Sequence, residues 1–256
     1  MKVLLLGLTG NVGSRLLPSL LAHNHSVVAF VRSPSKIPSE IKSKLAALVV
    51  GSATDSNAIR TAILEHECDA VVNAAGVAAM TGFTAQGEFT AIFEAVVKVC
   101  SEAGKERGVP IRCWFMSGFG ILDGPKKGCL LSDFIPLFPS HKRNYALIKS
   151  IPPSTLAWSL FCAMEMPPKH PSPQFPPSPD SPADNLIAKA DSPPNWNEKW
   201  KKVPLIGNYL NIMTQMQGYV AGLERCADFI AGDLEKGMGS EWVGRRVGVV
   251  ERSKVI

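Results

Sequence analysis

The sequence predicts a doubly wound α/β fold: a parallel sheet covered by helices on both faces, with a small substrate-side lobe and a proline-rich loop. Two observations carry this. The chain opens with an apolar run, Val3 to Leu6, a glycine turn, Gly7-x-x-Gly10-x-x-Gly13, and a helical pattern from Val12 to Ala22. Strand, tight turn and helix thus follow one another directly. The first half then alternates short apolar runs with helical stretches, the pattern of parallel strands buried on both faces. A length of 256 residues suits one such domain with a small extra lobe.

The strands read in order as Val3–Leu6, Ser26–Val31, Leu45–Val50, Ala70–Asn73, Ile111–Met116 and Leu156–Met164. Helices are expected over 12–22, 56–66 and 87–107. Asp55 precedes the stripe Ala58, Ile59, Ala62, Ile63 and is placed to cap the second helix. The segment after Val31 begins Ser33-Pro34-Ser35, which predicts a stunted crossover helix. Eight prolines fall between Pro167 and Pro182, too dense for regular structure. This divides the chain into a core over 1–165, a proline-rich loop or lid over 166–192 and a substrate-side lobe over 193–256. In the lobe, Tyr219, Val220, Leu223, Ala227, Ile230, Ala231 and Leu234 mark a late helix that Gly237 and Gly239 stop. Arg245–Val250 reads as a final edge strand.

Composition excludes several classes. With 46% hydrophobic and 19% charged residues the chain is ordinary for a globular protein. No apolar stretch is long enough to span a bilayer, and the N-terminal run leads into the glycine turn rather than a cleavage site. The six cysteines are scattered without a Cys-x-x-Cys pair, which suits reduced thiols in a cytoplasmic protein and no metal site. The net charge of +5 is spread along the chain. The expected partner is a small-molecule substrate, with neither nucleic acid nor membrane. Monomer and homodimer both stay open.

The glycine turn carries chemistry. A helix N-terminus presents free backbone N–H groups and the positive end of its dipole, so it attracts phosphate. Glycine lets the chain turn and lets a pyrophosphate approach without a Cβ in the way. Gly7, Thr9, Gly10, Asn11, Val12 and Gly13 are the candidate contacts. The spacing resembles that of the extended and atypical short-chain dehydrogenase/reductases. Leu8-Thr-Gly-Asn-Val-Gly13 is most similar to the NmrA-like branch, which includes the flavin- and biliverdin-reductase-like proteins. The resemblance runs over 1–165 and partly over 193–250. It implies a Rossmann sheet whose first turn binds the pyrophosphate of NAD(P).

Two further segments fit that cofactor. An NAD-specific site usually places an acidic residue at the end of the second strand, and Ala29 to Ser35 holds none. Arg32 stands there, with Ser33 and Lys36 behind it, suited to a 2′-phosphate. NADP(H) is therefore expected. Asn73-Ala74-Ala75-Gly76 matches the family's segment of small residues along the adenosine and ribose.

The catalytic group has three candidates. Ser117 follows the fifth strand directly, at the family's active-site serine position, where a hydroxyl polarises a substrate carbonyl. Tyr145-Ala-Leu-Ile-Lys149 is a literal Tyr-x-x-x-Lys, the family's proton-donating pair. Yet Lys149 lies only seven residues before Leu156, with Pro152-Pro153 between, closer to the sixth strand than in the family. Counting back from that strand puts the tyrosine position near His141 and the lysine position near Asn144 or Tyr145. Either His141 or Tyr145 is then the proton donor, and Lys149 a solvated helix-end lysine. The expected function is NADPH-dependent reduction of a C=O or conjugated double bond in a small apolar or aromatic molecule, specialised metabolism being one setting. The alternatives are a non-catalytic NADP(H) redox sensor and a non-redox isomerase or cyclase on the same fold.

Overall fold

A computed structural model describes residues 1–76, 82–135 and 138–252, those at 82–86 by backbone alone. The elements are β1 (Lys2–Leu6), α1 (Asn11–Ala22), β2 (Ser26–Val31), α2 (Ser39–Lys42), β3 (Ala47–Val50), α3 (Ser56–Glu65), β4 (Ala70–Asn73) and α4 (Gly82–Arg107). They continue with β5 (Arg112–Gly118), α5 (Pro139–Ile148), β6 (Ala157–Ala163), β7 (Leu186–Ala190), α6 (Gly207–Met216), α7 (Leu223–Glu235) and β8 (Arg245–Glu251). One sheet runs in the order β3-β2-β1-β4-β5-β6-β8-β7, parallel throughout except for the antiparallel pair β7–β8.

Both faces are covered, which is why the inner strands carry apolar residues on both alternating faces. Along β1, Leu4 and Leu6 face a core shared with α3, α4 and α5, while Val3 and Leu5 face a second core under α1 and α7. Asp55 caps α3 as expected: its Oδ1 accepts from the Asn57 and Ala58 N–H groups at 3.0 and 3.1 Å. The crossover helix α2 is a single turn.

Three expectations are corrected. Arg245–Val250 is not an edge. As β8 it is buried on both sides, and β7, inside the supposed loop 166–192, takes the edge instead. Tyr219 and Val220 precede the late helix, which starts after Gly222; the Tyr219 hydroxyl instead donates to the Pro194 carbonyl. The proline-rich segment lies over α1 and α7. Arg15 Nη2 donates to the His170 carbonyl at 2.8 Å, and Glu224 Oε2 accepts from the Lys169 N–H at 2.9 Å. Phe175 packs into the core on that side. Polar anchors to two helices fix a stretch that has no ladder of its own. Among the described residues no helix is long and apolar enough to cross a membrane, and no acidic, histidine or cysteine cluster could hold a metal.

Candidate cofactor and active site

The strand order reverses between β1 and β4, and a crevice opens there at the carboxyl ends of the strands. A cavity of about 410 Å³ fills it, lined by Gly7, Thr9, Gly10, the β2 end from Phe30 to Ser33, Lys36, Gly51 to Ala53 and Ala74 to Gly76. The two segments singled out in the sequence therefore meet. Asn73 Oδ1 accepts from the Ala75 N–H at 3.2 Å and shapes the second turn.

The three glycines of the first turn have different reasons. Gly7 has φ +84°, and a Cβ there would lie 2.5 Å from the Ala74 carbonyl carbon. A Cβ on Gly13 would lie 2.1 Å from the Gly7 carbonyl oxygen, so this glycine lets α1 pack on the strand. At Gly10 the nearest atom would be 3.3 Å away. That contact is tight but not forbidden, so of the three glycines Gly10 is the least constrained by protein packing. Asn11, Val12 and Gly13 form the first turn of α1, which has no side-chain cap and no acidic residue. A nicotinamide dinucleotide thus fits the residues present: backbone amides at the helix end for the phosphates, small residues from Ala74 to Gly76 for the sugar.

Arg32 and Lys36 both line this cavity. The structure adds a residue that the local sequence did not reveal. Glu88, from α4, also lines it and pairs with Arg32, Nη1 to Oε1 at 3.1 Å. Fifty-six residues separate the two, and no motif links them.

A second cavity, of about 400 Å³, lies past the ends of β5 and β6. Ser117 and His141 are at its wall, with Ser117 Oγ 3.4 Å from His141 Nδ1. The rest is mainly apolar: Phe119, Ile121, Leu131, Ile135, Phe138, Ala163, Met164, Met166, Ile212 and Met216. The last two come from α6, so the C-terminal lobe does contribute to this side. From the proline-rich region only Met166 reaches it; Ser172, Pro173 and Phe175 border a different cavity, beside Thr9 and Lys36. A lid over the Ser117 cavity is thus not what that segment forms.

His141 is held against Ser117 by three neighbours. Phe89 meets its ring edge-on at a centroid distance of 5.1 Å, and Phe138 covers another side at 6.2 Å. Gly118 allows the approach, because a Cβ there would lie 2.7 Å from His141 Cδ2. Sequence reading missed Gly118, whose role depends on a helix 23 residues further on. Burial in this apolar setting lowers the His141 pKa to about 4, so the ring is neutral at pH 7.

Tyr145 is on the same helix but does not line this cavity. Its ring packs against the guanidinium of Arg246, centroid to Cζ 4.7 Å, and Arg246 is itself clamped by Asp123, Asp191 and the Ile121 carbonyl. Desolvation raises the phenol pKa there, with Arg246 opposing. Lys149 is the exposed residue at the end of α5. Of the two proton-donor candidates, the structure brings only His141 to Ser117.

Comparison with known proteins bears on the fold and the cofactor domain. No curated protein sequence matches significantly. Among solved structures, a protein of Bacillus halodurans provisionally named an NAD-dependent epimerase/dehydratase is 18% identical, with a TM-score of 0.61 over 98% of this chain and 94% of that one. One from Streptococcus pneumoniae, provisionally named an NADH-flavin reductase, is 16% identical, with a TM-score of 0.64 over 98% and 100%. The Thermus thermophilus UDP-glucose 4-epimerase, solved with NAD, is 17% identical, with a TM-score of 0.50 over 69% and 60%. Such identities establish the shared α/β fold. A family model described as NAD(P)H-binding matches residues 7–165, from the first glycine of the turn to just beyond β6. More than half of the chain is matched, and the protein accordingly belongs to the NAD(P)H-binding family, consistent with the resemblance of its glycine spacing to the NmrA-like, atypical short-chain dehydrogenase/reductases.

Proposed function

We propose that the protein is an NADPH-dependent reductase acting on a C=O or conjugated double bond of a small, apolar or aromatic molecule. The observation that carries this is the Ser117–His141 pair in the wall of a mainly apolar cavity, whose other polar lining residues are Ser132 and Lys142. Such a cavity binds an apolar body and orients it by few polar groups. A nicotinamide held by the first cavity supplies the hydride. With the proton on Nδ1, the neutral His141 ring donates to Ser117 Oγ, and the serine hydroxyl donates on to the substrate oxygen. Negative charge developing on that oxygen is thereby stabilised and then protonated, and solvent restores the imidazole proton. A neutral imidazole acting as electrophile suits a histidine whose pKa is near 4. Arg32, Ser33 and Lys36 beside the first cavity support NADPH over NADH.

The test is turnover across a panel of alkyl and aryl ketones and enones. His141→Ala and Ser117→Ala are expected to slow it by about a hundredfold or more, the scale of a lost general acid. Tyr145→Phe and Lys149→Ala are expected to leave it nearly unchanged. The reverse pattern would overturn the assignment. NADPH consumed one for one with product identifies a reductase; turnover without net oxidation identifies an isomerase using the same pair.

A further inference from the structure

We infer that the segment from Lys199 to Tyr209 is an interfacial anchor for an anionic lipid surface. Among the described residues nine large apolar side chains are exposed, and four of them, Trp200, Leu205, Ile206 and Tyr209, fall within ten residues. Leu205 is fully in solvent, at 106% relative exposure, and Ile206 is at 54%. Exposed apolar side chains scattered singly need no explanation, but four within ten residues point to a binding surface.

The charge around them says what covers it. Lys199, Lys201 and Lys202 are all exposed, against one acidic residue, Glu198, which pairs with Lys201 at 2.8 Å. Lys199 Nζ sits 5.8 Å from the Trp200 ring centroid, so cation and indole share one face. Two exposed aliphatic side chains, an exposed Trp and Tyr and three exposed lysines within eleven residues are what an anionic headgroup layer accepts: apolar groups enter the acyl boundary, rings and ammonium groups stay at headgroup level.

The segment is braced from α6. Asn211 Nδ2 and Gln215 Nε2 both donate to the Asn197 carbonyl, at 2.7 and 2.8 Å, and Gln215 Oε1 accepts from the Asn197 N–H at 2.8 Å. Gly207 closes the loop, since a Cβ there would lie 2.4 Å from the Trp200 carbonyl oxygen. These contacts tie both ends of the loop to α6, which lowers the ordering cost of docking. The same helix, α6, lines the apolar cavity through Ile212 and Met216, so the docked protein holds that cavity near a reservoir of apolar molecules. The expectation of no membrane partner rested on the lack of a spanning segment, which surface docking does not need. This inference stands apart from the reductase reading, because it concerns binding alone.

The experiment is co-sedimentation of the full chain with vesicles of pure phosphatidylcholine and of an equimolar phosphatidylglycerol–phosphatidylcholine mixture. Binding is expected to be at least tenfold (~1.4 kcal/mol) stronger to the anionic vesicles and to weaken with salt. Removing one lysine, by Lys199→Ala or Lys202→Ala, should cost about fivefold, the scale of one basic side chain at such a surface. Leu205→Ser with Ile206→Ser should abolish binding and leave the NADPH dissociation constant unchanged. The lysine variants are fully surface changes and keep the test decisive if that double variant fails to fold. No binding to either vesicle, or equal binding to both that ignores the lysines, overturns the proposal. So does a shift from dimer to monomer in the double variant without vesicle binding, which would make the patch a contact between two copies.

Discussion

At Gly10 the missing side chain serves the ligand; at Gly7 and Gly13 it serves the fold. Gly10→Val should therefore fold with near-native cooperativity and lose NADPH binding, since the new methyl groups occupy the phosphate position. Calorimetry and a denaturant melt on the same variant check both halves. The Arg32–Glu88 pair makes a second single-residue expectation. A 2′-phosphate must take Arg32 from Glu88, so Glu88→Gln should tighten NADPH by a few-fold while leaving NADH alone. That is the scale of an exposed ion pair, about 0–1 kcal/mol. Arg32→Ala should weaken NADPH by about 1–3 kcal/mol, as for a hydrogen bond to a charged group. In the Arg32→Ala background Glu88→Gln should do nothing for the arginine, and any gain still seen there would show that Glu88 acts on the phosphate directly. These residues also show the limit of reading a chain linearly. The glycine turn and Asn73–Gly76 were legible because strand, turn and helix are consecutive. Glu88 and Gly118 were not, because each acquires its role from a partner on another element.

The elements were legible wherever an apolar run was short and isolated, as at β2 and β4, and less so where context decides. Leu186–Ala190 follows eight prolines and is only partly buried, so its pattern is faint; it becomes β7 because β8 offers it a free edge. Arg245–Glu251 was visible as a strand, but its position in the sheet was not. One joint between elements carries a large expected cost. Arg112 on β5 and Asp233 on α7 are 1% and 2% exposed at the side chain, and pair at 2.6 Å. Trp114 Nε1 donates to the same carboxylate oxygen at 3.0 Å and Ser240 Oγ to the other at 2.6 Å. Desolvation pushes the guanidinium pKa down and Asp233 pushes it back. Asp233→Ala leaves a buried cation alone and should cost about 3–5 kcal/mol in urea unfolding. A loss below about 1 kcal/mol, the scale of a surface pair, would mean that the joint is open to water.

At the scale of the whole molecule, buried histidines add to the acid sensitivity. His141 has a folded pKa of about 4 against 6.5 unfolded. The unfolded chain binds the extra proton first, so the His141 contribution is complete above pH 6.5 and falls as pH drops toward 4. His25 acts in the same direction, lowered chiefly by burial. His23 has the opposite sign: burial lowers its pKa, but bonds to Glu235 and Asp228 raise it further, and its contribution fades as pH rises through the folded value. His141→Gln should therefore lose about 2 kcal/mol less than the wild type between pH 7 and 4.5, measured by urea unfolding at both. Equal losses would mean that His141 is solvated.

The contact between Gly7 and Ala74 has one more consequence. The two turns that embrace the cofactor are locked against each other by backbone atoms, with space for no more than a hydrogen at Gly7. A hinge between them would have to break that contact and the strand pair β1–β4 behind it. The two turns thus already have their relative placement before a ligand arrives. Bringing these two turns together is then no part of the cost of association, which leaves the exchange of Arg32 from Glu88 to the phosphate as a separate local cost.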